Sequence, residues 1–348
     1  MNSAIVDMFN PQSNSGREAI TPSVPRLGFI GTGWIGRLRM QALREAQCAA
    51  ITAVHDPCIE SALAAADIAG DTTLCESIDE MLESDLDGVV IATPSAMHAK
   101  QCIQALRRGK AVFCQKPLAR TLLETEDVIQ TARAVNRLLG VDFSYRYLAG
   151  MDTLRSLITS GELGDVYAAD LVFHNAYGPD KAWFYDVKSA GGGCVIDLGI
   201  HLVDLAIWLL EKQEVYGVAS QLFRRGQRMS RPYTEVEDYA TANFHAGDTA
   251  VRLSCSWNLH AGRDAVIEAN FLGTRGGAAL RNVNGSFYDF EIFRFNGTRQ
   301  HKIVGYPDAW GGRALTRWAR QLSASATFDP EVEPVVAVAD VIDRIYGR

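Results

Sequence analysis

The sequence has few cysteines and none of the spacings that mark a metal or disulfide site. Its 348 residues include seven cysteines, an odd number, and no C-x-x-C pair. We therefore expect neither a disulfide framework nor a metal site, and a reducing compartment suits the chain. The cysteines are Cys48, Cys58, Cys75, Cys102, Cys114, Cys194 and Cys255.

The sequence also shows no leader, no membrane span and no excess of positive charge. Residues 1–25 have no basic segment followed by an apolar one, and their Ser, Asn and Pro content predicts a flexible tail. Asp197, His201 and Asp204 interrupt the most apolar stretch, Val195–Leu210, which argues against a spanning helix. A net charge of −7 does not favour nucleic acid. We predict a cytoplasmic protein without a membrane or nucleic-acid partner.

Short apolar runs alternate with helical stretches in the first part of the chain. Continuous apolar runs joined by helices indicate buried parallel strands with crossover connections. This pattern predicts a doubly wound α/β domain at 26–146. The runs lie at 26–31, 49–56, 87–94, 111–117 and 138–145, with helices near 35–46, 60–70, 96–109 and 121–136.

The pattern changes after about residue 150, where helices are predicted at 148–160 and 198–211 and mostly strands at 214–303. Val251, Leu253, Cys255 and Trp257 alternate with polar residues, as in an antiparallel sheet with one covered face. We predict an α+β domain at 147–330 and a C-terminal helix at 331–348 that can return to the first domain.

A glycine-rich turn follows the first predicted strand and opens the first predicted helix. Gly31, Gly33 and Gly36 form a G-x-G-x-x-G motif that includes Trp34 and Ile35. In this context the motif predicts a dinucleotide site: Gly31 allows the turn, Gly33 admits the pyrophosphate, and Gly36 packs helix on strand.

Asp56 ends the next predicted strand, twenty residues after Gly36. A carboxylate there suits the ribose hydroxyls and opposes a 2′-phosphate, so it favours NAD over NADP. FAD shares the glycine motif and is not excluded at this point.

Gln115, Lys116 and Pro117 end another predicted strand. In an open parallel sheet, ligands bind beyond the carboxyl ends of the strands. The glycine loop, Thr93-Pro94 and Lys116 all follow such ends, so we expect them to converge. Lys116 can hydrogen-bond a substrate hydroxyl and make it more acidic. The alternative is a surface lysine after an edge strand.

Asp197 and His201 lie four residues apart in the apolar run that follows three glycines, Gly191–Gly193. On a helix they share a face, where the carboxylate would raise the pKa of His201 and orient its ring for proton transfer. The alternatives are a helix N-cap for Asp197 and a hydrogen-bonded core histidine for His201. A zinc site from the H-x-x-D spacing has no further ligands to support it.

These segments resemble the glucose–fructose oxidoreductase and inositol dehydrogenase (Gfo/Idh/MocA) family. The resemblance runs from Arg26 to the end and rests on GFIGTGWIG at 28–36, ATPSAMHAK at 92–100, CQKPLA at 114–119 and GGGCVIDLGIHLVDLAIWLL at 191–210. It implies a Rossmann domain followed by a domain with a large open sheet. It also implies dimers or tetramers formed through that sheet, and oxidation or reduction of sugars, cyclitols or glycosides with NAD or NADP.

The resemblance also assigns roles to residues. Lys116 matches the lysine of the family's E-K-P motif, and Asp197 and His201 match its D-x-x-x-H motif. Gln115 departs from the pattern, because glutamate is usual there; its amide can still hydrogen-bond a ribose hydroxyl. The loop with Thr93, Pro94 and His98 is implied to pass the nicotinamide. Substrate contacts are implied for Tyr145, Arg146, Trp257 and His260.

The resulting hypothesis is an NAD-dependent dehydrogenase of a sugar, cyclitol or glycoside. In it His201 is the acid/base, Lys116 polarises the hydroxyl, and Asp197 orients the substrate or His201. Two rivals stay open. One is a regulator of the same fold that binds NAD or sugar without turnover. The other is a sugar–sugar oxidoreductase that retains its cofactor.

Overall fold

The first half of the chain forms a parallel six-stranded sheet with the order β3-β2-β1-β4-β5-β6. The computed structural model describes residues 24–348, so the tail predicted at 1–25 lies outside it except for Val24 and Pro25. The strands are β1 Arg26–Ile30, β2 Ala50–His55, β3 Thr73–Leu74, β4 Gly88–Ile91, β5 Ala111–Cys114 and β6 Leu139–Val141. The helices are α1 Trp34–Ala46, α2 Ile59–Ala69, α3 Ile78–Glu83, α4 Ser95–Arg107 and α5 Leu122–Ala134.

The predicted doubly wound topology is confirmed, and its local causes are visible. β4 and β5 are buried along their whole length, as continuous apolar runs require. The Thr121 side chain accepts the Glu124 N–H at 3.2 Å and so caps α5. The short β3 and α3 were not predicted, because two and six residues leave too little periodicity to detect.

The second half is built on a nine-stranded sheet with the order β15-β14-β13-β12-β7-β11-β10-β8-β9. All neighbouring pairs are antiparallel except β7 and β11, which confirms a mostly antiparallel sheet. The strands are β7 Val166–Asn175, β8 Val215–Arg224, β9 Gln227–Arg228, β10 Tyr239–Ala246, β11 Thr249–Ser256, β12 Ala265–Gly273, β13 Gly277–Asn282, β14 Phe290–Asn296 and β15 Arg299–Val304.

The central strand β7 was not predicted, although its sequence carries a signal. Ala169, Leu171 and Phe173 alternate with more exposed residues and are buried. β11 shows the predicted alternation, because Val251, Leu253 and Cys255 are buried as well. The buried residues of both strands therefore lie on the face of the sheet that the helices cover, and the other face is more exposed.

The helices of this half are α6 Met151–Thr159, α7 Val187–Ala190, α8 Ile200–Leu210, α9 Arg313–Ala324 and α10 Val335–Tyr346. A π-helical turn, Val195–Gly199, leads directly into α8. Within residues 24–348, the run Val187–Leu210 is long and apolar enough to span a membrane by length and composition, but 83% of its most apolar window is buried inside the protein. The run comprises α7, the π-helical turn and α8, and it lies in the core of the second half.

The last two helices join the halves of the molecule. Trp318 of α9 packs on the first sheet, with its ring 5.6 Å from that of Phe113. A Cβ at Gly140 would lie 2.6 Å from the Trp318 ring, so a glycine makes this contact possible. Asp343 of α10 accepts the Leu122 N–H of α5 at 2.8 Å. The predicted domain boundaries stay predictions, but residues after 310 clearly contribute to the first sheet's core.

Candidate active site

The carboxyl ends of four parallel strands meet at one edge of the first sheet. Ile30 at the end of β1 pairs with His55 of β2 and Ile91 of β4, and Ile91 pairs with Cys114 of β5. The residues that follow are the glycine loop, Asp56, Ala92-Thr93-Pro94 and Gln115-Lys116-Pro117. The expected convergence of these segments is therefore present at the β1–β4 switch point.

The glycine loop has the shape that a dinucleotide requires. Gly31 has φ +87°, and a Cβ there would lie 2.7 Å from the Ala92 backbone. A Cβ on Gly36 would lie 2.5 Å from the Gly31 carbonyl, whereas Gly33 has open space around it. Trp34, at the start of α1, is 61% exposed and Ile35 partly exposed. No side chain caps α1, which leaves its first N–H groups for a phosphate, and the loop fits the cofactor.

Asp56 lies directly against this loop. Its carboxylate accepts the Thr32 N–H at 2.7 Å and the Thr32 hydroxyl at 3.2 Å. The other carboxylate oxygen accepts the Cys58 N–H at 2.9 Å. Asp56 therefore shapes the glycine loop as well as placing a negative charge beside it. Thr32 was not singled out in the sequence, since a loop contact of this kind has no fixed spacing.

His98 joins two of the converging segments and is buried. One ring nitrogen lies 2.6 Å from the Pro117 carbonyl and the other 2.7 Å from the Thr93 carbonyl. The Thr93 hydroxyl donates to the Gln101 side chain at 2.6 Å. Both nitrogens of His98 face the backbone, so the side chain holds the Thr93-Pro94 loop against the Lys116-Pro117 turn.

Gln115 is turned towards a buried carboxylate. Its amide nitrogen donates to Asp142, which also accepts from Arg39 Nε at 2.6 Å. The second Asp142 oxygen accepts from the Ser144 hydroxyl, and Arg39 contacts the same hydroxyl at 3.0 Å. Asp142 supplies the negative charge of this cluster, and a neutral amide at position 115 can donate to it. This arrangement gives a physical reason for glutamine where the related family has glutamate.

We expect Gln115→Glu to lower the free energy of unfolding by about 1–3 kcal/mol at pH 7.5, because a second carboxylate would face Asp142. Burial and like charge would raise the folded-state pKa of the new carboxyl above its unfolded value of about 4.3. The loss should therefore grow as the pH rises and be smaller at pH 5. Urea unfolding at both pH values measures it.

Gln104→Glu is the matched control, because Gln104 also donates to a carboxylate, that of Asp79, at 2.9 Å, but at the surface. Solvent screening should keep its effect small. An equal loss in the two variants would contradict the explanation given for Gln115.

Lys116 and Asp197 form an ion pair between the two halves of the chain. Lys116 Nζ donates to Asp197 Oδ1 at 2.8 Å and to the Asp197 carbonyl at 2.6 Å. The two side chains are 19% and 16% exposed, so the pair is largely shielded yet open to a ligand. The indole N–H of Trp257 donates to Asp197 Oδ2 at 3.1 Å. Lys116 is therefore not a surface lysine, and Trp257, which follows β11, belongs to the same cluster.

The backbone before α8 sets the direction of Asp197. Asp197 lies within the π-helical turn and makes no capping hydrogen bond, so the N-cap alternative is wrong. A wider turn changes the face on which a side chain projects, and such turns are frequent at functional sites. The four-residue spacing therefore does not produce an Asp197–His201 hydrogen bond. Instead the carboxylate binds Lys116 and Trp257.

His201 lies in an aromatic pocket beside this ion pair. Its ring centre is 4.9 Å from that of Tyr145 and 6.5 Å from that of Phe173. Its Nδ1 is buried and has no hydrogen-bond partner among the described residues, so a hydrogen-bonded core histidine does not describe it. Burial, with the positive charges of Lys116 and Arg39, holds the pKa of His201 well below its usual range. The expected rise in this pKa was therefore wrong, and the imidazole is neutral at pH 7.

Of the other three residues predicted to contact substrate, only Tyr145 packs against His201. Tyr145 is buried beside His201, and burial together with the Asp197 charge raises the pKa of its phenol above the usual range. Arg146 points to α8, where Nε donates to Asp204 Oδ2 at 2.8 Å. Its guanidinium is thus bound in a structural pair next to the cluster. His260 is exposed in the loop that follows Trp257.

Two residues near the cluster were missed in the sequence. Tyr185 lies 5.6 Å, ring to ring, from Trp257, and burial and the Asp197 charge raise its pKa. The aromatic run Trp183-Phe184-Tyr185 could have indicated it. Glu237 is buried at the start of the π-helical turn. An isolated acid before a strand gives no signal of that kind.

Comparison with known proteins places both halves in one family. Residues 25–143 match the family model described as "Oxidoreductase family, NAD-binding Rossmann fold". Residues 151–279 match the one described as "GFO/IDH/MocA C-terminal domain". Together the two matches cover well over half of the chain.

Similar proteins are named for reactions of sugars and cyclitols. The D-glucoside 3-dehydrogenase of Escherichia coli is 28% identical over 76% of this chain and 79% of its own length. Inositol 2-dehydrogenase 3 of Saccharopolyspora erythraea is 27% identical over 84% and 90%. The structure of KijD10, a 3-ketoreductase from Actinomadura kijaniata in complex with NADP and TDP-benzene, has a TM-score of 0.79 at 18% identity, over 93% of this chain and 97% of that one. At this identity the structure supports the fold alone.

Proposed function

The chain belongs to the GFO/IDH/MocA family of oxidoreductases, which act on CH–OH groups, and from this premise we propose that it is an NAD-dependent dehydrogenase of a sugar, cyclitol or glycoside. The observation that carries the proposal is the Lys116–Asp197 ion pair beside His201, at the carboxyl end of β5. This cluster combines a cation, a carboxylate and a neutral base next to the glycine loop.

The proposed chemistry divides the work between these side chains. When bound, the nicotinamide supplies the acceptor for the hydride that leaves the carbinol carbon. His201, as the neutral imidazole, takes the hydroxyl proton. Lys116 donates a hydrogen bond to the same oxygen and stabilises its developing negative charge. Asp197 holds Lys116 in place, and in the reverse reaction His201 returns the proton.

The proposed cofactor site consists of the glycine loop, Asp56, the Thr93-Pro94 loop and the Gln115–Pro117 turn. Gly31, Gly33 and Gly36 with Trp34 and Ile35 would face the pyrophosphate, and Asp56 the adenosine ribose. His98 would act through the two loops that it joins. Tyr145 and Trp257 would line the substrate side.

We expect Asp56→Asn to lower kcat/KM for NAD by about 10- to 100-fold, because a charged acceptor for the ribose hydroxyls is lost. Activity with NADP should fall less or rise, since the like charge opposing a 2′-phosphate is removed. Steady-state kinetics with each cofactor measures the change. Asp67→Asn, an exposed acid at the far end of α2, is the control and should keep wild-type selectivity.

The test of the function is NADH formation across inositols, free aldoses, glucosides and sugar acids, each with NAD and with NADP. A hit with NAD supports the proposal and identifies the substrate class. A hit with NADP alone contradicts the role of Asp56 but keeps the reaction. NAD binding without any turnover would favour a regulator. Absorbance at 340 nm that survives purification would favour a sugar–sugar oxidoreductase with a retained cofactor.

We also propose a cytoplasmic homodimer or homotetramer assembled through the second sheet. The more exposed face of that sheet carries charged residues, such as the Arg252–Asp170 pair between β11 and β7, that a second copy could contact. The seven cysteines are free thiols, which agrees with a reducing compartment. Light scattering of the purified protein tests the assembly, and a monomeric mass would contradict it.

A further inference from the structure

A buried carboxylate holds the turn that carries Asp197. Glu237 precedes β10 and is 1% exposed. Its side chain accepts the Gly193 N–H at 3.0 Å and the Val195 N–H at 2.9 Å. It also accepts the Tyr346 hydroxyl at 2.8 Å, from the last turn of α10. An acid at the start of a helix satisfies free N–H groups and favours the positive end of the helix dipole.

The backbone of the same short segment fixes both sides of the cluster. The Glu237 carbonyl accepts the Cys194 N–H at 3.2 Å, and the Asp238 carbonyl accepts the Trp257 N–H at 2.7 Å. Glu237 and Asp238 thus contact the start of the Asp197 turn and the strand end that carries Trp257. These are the two elements whose side chains meet at 3.1 Å between the Trp257 indole and Asp197.

Glu237 and Tyr346 lie so close to the segment before the Asp197 turn that only glycine fits at positions 192 and 193. A Cβ on Gly193 would lie 1.9 Å from the Glu237 carbonyl, and one on Gly192 would lie 2.1 Å from the Tyr346 hydroxyl. The glycines before the turn therefore admit the Glu237 backbone and the Tyr346 phenol. Burial raises the pKa of Glu237, so a carboxylate at this position would lower stability if it served packing alone.

We propose that Glu237 is a positioning residue for the dehydrogenase reaction: by holding Gly193 and Val195 and, through its neighbour, Trp257, it sets the direction in which Asp197 presents Lys116 to the substrate. Tyr346 supports it from the C-terminal helix. The inference rests on the proposed function. It adds a residue that touches neither cofactor nor substrate and acts through Asp197.

Glu237→Gln tests the proposal, because it keeps the size but replaces one acceptor oxygen with an amide group that opposes the backbone N–H. We expect kcat to fall by about 10- to 100-fold, as small misplacements of reacting groups cost that much. The Kd of NADH should change less than about twofold, since the glycine loop is untouched. Tyr346→Phe keeps the carboxylate and should lower kcat by about two- to tenfold.

Hydrogen exchange gives a readout that needs no turnover. In Glu237→Gln, amides of residues 191–201 should exchange faster than in wild type, while those of 27–40 should not change. Glu235→Gln is the matched control, because Glu235 is exposed, lies two residues away and pairs with Arg224. It should resemble wild type in both measurements.

Three outcomes would overturn the proposal. The first is unchanged exchange at 191–201. The second is faster exchange at 191–201 while both Glu237→Gln and Tyr346→Phe keep the wild-type kcat. The third is a parallel fall of kcat, NADH affinity and thermal midpoint, which would indicate a merely structural role. A wild-type protein without turnover on any sugar would refute the proposed function instead, and the exchange comparison would still decide whether Glu237 holds the turn.

Discussion

His201→Asn should lower kcat by about 10²- to 10⁴-fold, because the base that takes the hydroxyl proton is lost. The side chain is close in size and the pocket around it is aromatic, so the fold should persist. NADH should still bind, since no residue of the glycine loop changes. Steady-state kinetics on the substrate found in the panel, with an NADH fluorescence titration, measures both quantities.

His245→Asn is a matched control for this substitution. His245 also has a buried Nδ1 without a hydrogen-bond partner in the described chain, and its ring stacks on an aromatic residue, Tyr216, at 4.9 Å. It lies on β10, on the second sheet, and should keep wild-type turnover. Comparable losses in the two histidine variants would remove His201 from the proposed chemistry.

The pH dependence should identify the same base. A general base works only when it is unprotonated, and the lowered pKa of His201 places the acid limb of kcat/KM below pH 6.5. Lys116→Met should lower kcat by a comparable factor and move the remaining acid limb to higher pH, because the Lys116 charge is one cause of the low pKa. An acid limb that does not move in Lys116→Met would argue against His201 as the general base.

The sequence contains enough local information for the fold and for much of the site. Strand ends, the glycine spacing and Asp56 follow from patterns within twenty-odd residues, and the sheet edge brings their ends together. Lys116 could be placed at this edge for the same reason. The chain's resemblance to its family then connected Lys116 with Asp197 and His201, which are far apart in sequence.

What the sequence did not reveal depends on contacts between distant segments. The π-helical turn directs Asp197 to Lys116, and no spacing distinguishes it from an ordinary helix. The low pKa of His201 arises from burial and from charges on two other elements. The partner of Gln115, Asp142, lies 27 residues away on another strand end. A carboxylate such as Glu237 becomes recognisable only when its buried N–H donors are visible.

Arg39→Met should lower the free energy of unfolding by about 3–5 kcal/mol, because it leaves the Asp142 carboxylate buried without its cation. The Arg39 and Asp142 side chains are 8% and 0% exposed, so water cannot replace the lost partner. Arg39 projects from α1, the helix that the glycine loop opens, and Asp142 follows β6. Urea unfolding measures the loss, and Arg108→Met, which breaks a more exposed pair with Asp79, should lose at most about 1 kcal/mol.

The double variant Arg39→Met/Asp142→Asn separates a buried charge from simple loss of packing. With both charges removed, no unpaired ion remains in the interior, so the double variant should be more stable than Arg39→Met alone. It would still lose the hydrogen bonds that join α1 to the segment before Tyr145, and it should stay below wild type. If the second substitution lowered stability further, the Asp142 charge would not be the source of the loss. The glutamine at position 115, explained above by the Asp142 charge, would then need another explanation.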